Sequence, residues 1–366
     1  MPGVSVQDKH IVMRLQGVSA RVFHSLQDFC YNMNIMEKDI VKTIERCRTE
    51  AAKRLIGQEN LISDILTAFI AGGHVLLEGV PGLAKTLAIK TVAEILGLDF
   101  KRIQFTPDLL PADVTGTLIY EQNKGTFTVR KGPVFANVIL ADEINRAPSK
   151  VQSAMLEAME EKQITIGEKT YKLPDPFFVL ATQNPVEQEG TYNLPEAELD
   201  RFLMKLVINY PTADNEIQIV KTAGKAPQVP VRQIITSTDI NNMKKAVDGV
   251  NCDDRLVEYI VQILTVTRAE GGHKQQNGRA IVNTVNSSDI TRYIHFGASP
   301  RAGIAILQCA RVHALFAGRD FVLPEDIKAV AANALRHRLV LSYEAAADNV
   351  TADEIISRIL DFIPIP

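Results

Sequence analysis

Lys85 and Thr86 close the segment H-V-L-L-E-G-V-P-G-L-A-K-T, His74 to Thr86, in which an apolar run enters a glycine-bearing turn just before a helical stretch. Such a turn suits phosphate. Backbone N–H groups along the turn Gly79, Val80, Gly82, Leu83 and Ala84, with Pro81 shaping it but donating none, and at the helix start, Lys85 to Leu87, can surround phosphate oxygens. Lys85 can neutralise β and γ phosphates, and Thr86 can ligate Mg²⁺. The match to G-x-x-x-x-G-K-[ST] is imperfect, because Ala84 stands where the second Gly belongs and has less backbone freedom. Taken alone, the segment also reads as a tight strand-to-helix connection carrying a surface Lys.

A second apolar run, N-V-I-L-A-D-E from Asn137 to Glu143, delivers two adjacent carboxylates at its C-terminal end. Ligands of open α/β sheets collect at that end of the strands. Asp142 there would hold Mg²⁺ directly or through water, and Glu143 would polarise an attacking water. A third run, Phe177 to Ala181, ends in Thr182-Gln183-Asn184-Pro185. Asn184 suits orientation of the lytic water or contact with the γ-phosphate, and equally a turn Asn before Pro. In L-P-E-A-E-L-D-R-F, Leu194 to Phe202, Arg201 lies too far along the chain to cradle phosphate simply in cis, but suits an arginine finger for a neighbouring subunit.

These residues need a sheet to hold them. Short apolar runs at His74 to Leu77, Phe100 to Phe105, Val138 to Ala141, Phe177 to Ala181 and Leu203 to Ile208 alternate with helical stretches, which predicts an α/β fold with a parallel sheet. Two helices, Glu37 to Arg54 and Glu59 to Ile70, precede it. Thr117 to Arg130 and Gln163 to Lys172 read as β-hairpins around Asn123-Lys124-Gly125 and Gly167-Glu168. Beyond Pro211 the pattern is helical, with caps at Thr212, Asp253, Ser299-Pro300 and Thr351-x-x-Glu354. Gly271 to Ser299 reads as a polar loop. The division is an N-terminal extension 1–36, an α/β core 37–211 and an all-α region 212–366.

Composition excludes several classes. The 366 residues are 46% hydrophobic and carry 40 Lys plus Arg against 43 Asp plus Glu, so no basic excess recommends nucleic acid or an anionic membrane as partner. No apolar run is long enough for a membrane span and no signal-peptide pattern opens the chain, which makes a cytoplasmic protein the expectation. Cys30, Cys47, Cys252 and Cys309 are scattered without zinc-site spacing.

Together, E-G-V-P-G-L-A-K-T, A-D-E-I-N-R-A-P, A-T-Q-N-P, L-P-E-A-E-L-D-R-F and G-A-S-P-R-A, in that order, resemble the AAA+ ATPases and specifically the MoxR family, from about Ile56 to the C-terminus. The resemblance implies a P-loop core with a five-stranded parallel sheet and β-hairpin inserts, a helical lid, and a ring, often hexameric, with ATP and Mg²⁺ between subunits. It assigns Lys85 and Thr86 to Walker A, Asp142 and Glu143 to Walker B, and Asn184 to the first sensor. Arg201 becomes the trans-acting finger and Arg301 the second sensor from the lid. Ile56-Gly57-Gln58 resembles the segment lying against adenine, and Arg146 is a further residue for the next subunit. A cation at a helix N-terminus opposes the macrodipole, so an anionic partner explains Arg301 better than surface charge does. The hairpins resemble projections facing a pore or client, although ordinary hairpin packing explains Tyr120, Lys124 and Phe127 as well.

The implied function is ATP hydrolysis coupled to chaperone-like remodelling of a client protein. By family likeness alone, the client carries a von Willebrand factor A domain. A nucleotide-dependent binding switch is the alternative that the intact Glu143 disfavours, and a DNA-linked motor is the one that the neutral charge balance disfavours.

Overall fold

Val75 and Leu77 face one apolar cluster while Leu76, between them, faces another, so the strand they form is covered on both sides. The same alternation runs through Ile139 and Leu140 and through Val179 and Leu180. The structure is a computed structural model and describes residues 39–80, 82–184, 191–192, 194–221, 229–268 and 288–366. The expected extension 1–36, Pro81 and most of the loop 271–299 lie outside the described residues.

The first part runs α1 (39–52), α2 (Glu59–Ile70), β1 (Val75–Glu78), α3 (Lys85–Leu96), β2 (Phe100–Gln104), α4 (Pro111–Thr115), β3 (Gly116–Glu121), β4 (Thr126–Lys131) and β5 (Val138–Asp142). A 3-10 turn at Ile144–Arg146 leads to α5 (Ser149–Glu161), β6 (Gln163–Ile166), β7 (Lys169–Lys172), β8 (Phe178–Gln183), α6 (Glu196–Leu199) and β9 (Met204–Val207). Five strands form one parallel sheet in the order β2-β5-β8-β1-β9. Register aligns the strand ends that matter, pairing Gln104 with Asp142 and Glu78 with Gln183. The two hairpins, β3–β4 and β6–β7, stand outside this sheet, as expected.

The second part comprises α7 (Ala213–Lys221), α8 (Ser237–Gly249), α9 (Asp254–Val266), α10 (Ser288–Thr291), β10 (Ile294–Phe296), α11 (Pro300–Phe316), α12 (Pro324–Leu335), β11 (Val340–Leu341), α13 (Tyr343–Ala347) and α14 (Ala352–Phe362). Asp253 and Ser299 cap α9 and α11 through their side chains, and Thr351 and Glu354 exchange bonds across the first turn of α14. The region is not wholly helical. Ile294–Phe296 pairs antiparallel with Val340–Leu341, inside and beyond the stretch read as loop, and three residues are too few for periodicity to reveal. Helix α8 also escaped the sequence, because only Ile240, Met243 and Val247 are buried along its 13 residues. No helix among the described residues is long and apolar enough to cross a membrane.

His74, just ahead of β1, is buried at the opposite end of that strand from the Gly79 turn. Its Nδ1 accepts the Val179 N–H at 3.1 Å, which places the proton on Nε2, 3.1 Å from the Met159 carbonyl that accepts it. Burial pushes its pKa down to about 4. Between there and the ordinary value of ~6.5 the unfolded chain binds the extra proton, so stability is full above the window and lost as pH falls through it. The loss attributable to His74 is about 3 kcal/mol. Denaturation midpoints measured from pH 7 to 4 should fall steeply for the wild type and less steeply for His74→Gln.

Candidate functional site

A cavity of about 460 Å³ opens at the C-terminal end of the sheet, lined by Gly82, Leu83, Ala84, Lys85, Thr86, Leu87, Arg102, Asp142, Glu143, Thr182 and Asn184. Six of these come from one turn and the first residues of the helix it enters. Gly82 has φ +90°, a conformation that L side chains rarely adopt, and the turn enters α3 without any side-chain cap. The first N–H groups of α3 therefore lack the usual side-chain acceptor, which is the arrangement that receives an anion. The Lys85 ammonium donates to the Gly79 carbonyl. Burial lowers its pKa, while the carboxylates of Asp142, Glu143 and Glu78 oppose that shift.

Ala84, the departure from the usual pattern, has φ 54° and ψ 26°, in the left-handed region. For a residue with a Cβ that costs ~1–2 kcal/mol, partly offset in an Ala-to-Gly exchange by the greater entropy of unfolded Gly. Ala84→Gly should therefore raise stability by up to about 1 kcal/mol in chemical denaturation. Unchanged or lower stability would show that the surrounding turn relieves the strain.

The carboxylates are held by a ladder of donors. Thr182 Oγ1 donates to Asp142 Oδ1 at 2.6 Å and accepts the Glu143 N–H at 2.8 Å. Arg102 donates to Asp142 Oδ2 through Nε at 2.9 Å and Nη2 at 2.6 Å. Glu143 Oε2 accepts from Gln104 Nε2 and from Arg146 Nη1, each at 2.9 Å. Glu143 itself has φ 57°, a strained backbone at the residue read as catalytic. Arg102, Gln104 and Thr182 were not singled out in the sequence. Alternate polar residues on β2, an edge strand, look like ordinary edge protection.

Oxygen donors only, Thr86 and Asp142, stand beside the phosphate turn, and one or two oxygens supplemented by phosphate and water is what Mg²⁺ takes. The residues fit that ion. Asn184 is buried and lines the same cavity.

Arg201 and Arg301 are elsewhere. They meet at a smaller cavity of about 150 Å³ lined also by His74, Met159, Glu160 and Asp200, at the other end of β1. Both pair with Glu160, Arg201 at 3.2 Å and Arg301 at 3.4 Å, so Arg301 has its anionic partner, and it is a protein carboxylate. Asp200 fastens this corner. Its carboxylate accepts from Ser299, the cap of α11, at 2.9 Å and from Arg338 Nε at 2.6 Å. Arg338, 4% exposed, also donates to the carbonyls of Leu203, Ala334, Asp200 and Phe202.

Ile56, Gly57 and Gln58 do not line the phosphate cavity; Gly57, with φ +71°, lies against Asn215 of α7, and Gln58 precedes α2. The first hairpin exposes an aromatic pair, Tyr120 at 53% and Phe127 at 68%, with ring centroids 5.2 Å apart. Its Leu118 packs against Gly167 of the second hairpin, so the two projections touch.

Known proteins agree with this architecture. Residues 74–204 match the family model described as ATPase family associated with various cellular activities (AAA), and residues 287–359 match the AAA lid domain. The chain is 44% identical over 326 residues to Chaperone MoxR1 of Mycobacterium tuberculosis, covering 89% of this chain and 83% of that one. It is 30% identical to Protein MoxR of Methylorubrum extorquens, covering 88% and 94% of the two chains. A solved structure of a putative ATPase from Cytophaga hutchinsonii superposes with a TM-score of 0.82 at 44% identity, covering 92% of this chain and 99% of that one. Sheet order, phosphate turn, helical lid and these likenesses converge: the chain belongs to the MoxR family of AAA+ ATPases.

Proposed function

We propose that the protein hydrolyses Mg²⁺-ATP between the subunits of a homo-oligomeric ring, a hexamer by family likeness, and uses the cycle to remodel or activate a partner protein in the cytoplasm. Residues 37–211 serve as the ATPase core and 212–366 as its lid. The observation that carries this reading is the separation of two halves of one site. Lys85, Thr86, Asp142, Glu143 and Asn184 line a cavity at one end of the sheet, whereas Arg201 and Arg301 gather on Glu160 beside His74 at the other. A second copy would bring its arginines to the first copy's cavity.

In that reading Lys85 leaves the Gly79 carbonyl for the phosphates, and the N-terminus of α3 receives their oxygens. Thr86 and Asp142 would hold Mg²⁺, which supplies neutralisation of the phosphate charge. Glu143, released from Gln104 and Arg146, takes a proton from the attacking water that Asn184 orients. Arg201 and Arg301 of the neighbour exchange Glu160 for the charge developing on the transferred phosphoryl group. Ile56, Gly57 and Gln58 are assigned to adenine.

The chaperone role is supported by the name of the Mycobacterium tuberculosis relative, and a client with a von Willebrand factor A domain by family likeness alone. The exposed Tyr120–Phe127 pair is the surface assigned to that client.

Complementation tests the shared site. Lys85→Ala should bind no ATP, and Arg201→Ala should bind it but hydrolyse it about a thousandfold more slowly. Mixed, the two should recover part of the steady-state ATPase rate, because some interfaces combine an intact turn with an intact arginine. A mixture as inactive as its components would rule out completion in trans.

A further inference from the structure

Arg102 lines the cavity, and the hydrolysis cycle above gives it no role. Its side chain is about half exposed, yet it grips a single carboxylate oxygen, Asp142 Oδ2, with two of its nitrogens, at 2.9 and 2.6 Å. Gln104 Oε1 accepts from the same Nη2 at 2.6 Å and fixes the plane of the guanidinium. Thr182 occupies the other oxygen, Oδ1, at 2.6 Å. Both oxygens of the carboxylate that would ligate the metal are thus engaged, one of them by a cation.

A guanidinium and a divalent ion exclude each other at Oδ2, through overlap and through like charge. A free ion arriving there has Asp142, Thr86, the neighbouring Glu143 carboxylate and water, but no phosphate oxygens, to compensate for displacing the arginine. The same ion carried on a nucleotide arrives with phosphate oxygens already attached, and with Lys85 and the α3 N-terminus to receive them.

We propose that Arg102 is a resident counter-ion that reserves Asp142 for metal delivered with nucleotide. It keeps the nucleotide-free cavity closed to free divalent ions, and on displacement it turns to the phosphates, because it lines the same cavity as Lys85. Arg102 is in this sense a positioning residue that sets the order of binding. The inference rests on the reading of the cavity as an Mg²⁺-ATP site and adds a sequence of events to it.

Binding of Mn²⁺ to nucleotide-free protein, followed by the electron paramagnetic resonance of the unbound ion, tests this without any turnover. Arg102→Gln should bind Mn²⁺ at least about tenfold more tightly than wild type, since a full positive charge in contact with the ligand oxygen is removed. Arg102→Lys, which keeps the charge and loses the fork, should fall between them. Adding Asp142→Asn to Arg102→Gln should abolish the gain. Equal Mn²⁺ affinity in wild type, Arg102→Gln and Arg102→Lys, all with wild-type melting temperature, would overturn the proposal, as would a gain that survives Asp142→Asn. Failure of the nucleotide reading would appear separately, as wild-type protein that binds no ATP whatever its behaviour towards Mn²⁺.

Discussion

Glu143→Gln should lower ATP turnover by about a hundredfold to ten-thousandfold while ATP stays bound. The exchange is nearly isosteric and leaves the strained backbone at φ 57° in place, as well as the 2.8 Å bond from the residue's N–H to Thr182. One side-chain oxygen remains to accept from Gln104 or Arg146, so the cavity wall should keep its shape. What is lost is the capacity to take a proton from water. Single-turnover hydrolysis and equilibrium binding of labelled ATP separate the two effects. A rate within tenfold of wild type would place the base elsewhere, and lost binding would mean that Glu143 shapes the cavity rather than acting in it. Protein trapped in the ATP state by this variant should also retain client through an affinity pull-down.

Arg338→Met should destabilise the fold by about 3 to 5 kcal/mol. Burial lowers the pKa of this guanidinium even with Asp200 at 2.6 Å, a sign of how completely it is withdrawn from water. Its donors satisfy carbonyls on the chain that enters β9 and on α12 itself. Met fills much of the volume but strands the Asp200 carboxylate and those carbonyls. Urea denaturation measures the loss. Because Asp200 also holds the cap of α11, the variant should lower ATPase activity by displacing Arg201 and Arg301. The double variant with Asp200→Asn should cost less than the sum of the two single changes, since both break one network. Strict additivity would mean the two residues act independently.

How far the sequence could be read depended on whether a residue's role is local. The phosphate turn, the five strands and the caps Asp253, Ser299 and Thr351 are local patterns, and each lies where spacing placed it. Arg102 and Gln104 act across the sheet on residues about 40 positions away, and no spacing rule connects an edge strand to its neighbour's end. Glu160 was equally invisible, the end of an amphipathic helix being a common site for a solvated carboxylate. Arg301 was read as the second sensor from the lid, with no protein carboxylate named as its partner. The Glu160 carboxylate that it shares with Arg201 lies 141 positions away, beyond the reach of any spacing rule.

The carboxylate of Asp200, the residue before Arg201, joins on a single pivot the hydroxyl that caps α11 and the Arg338 guanidinium just beyond the end of α12. In the proposed ring, rotation of the lid about its own core would turn a crank on the arginines that the subunit would lend to the next. Each such crank would then connect one nucleotide pocket of that ring to the adjacent one. Neighbouring subunits would then fire in correlated order with no signalling residue beyond those already fastened at this corner.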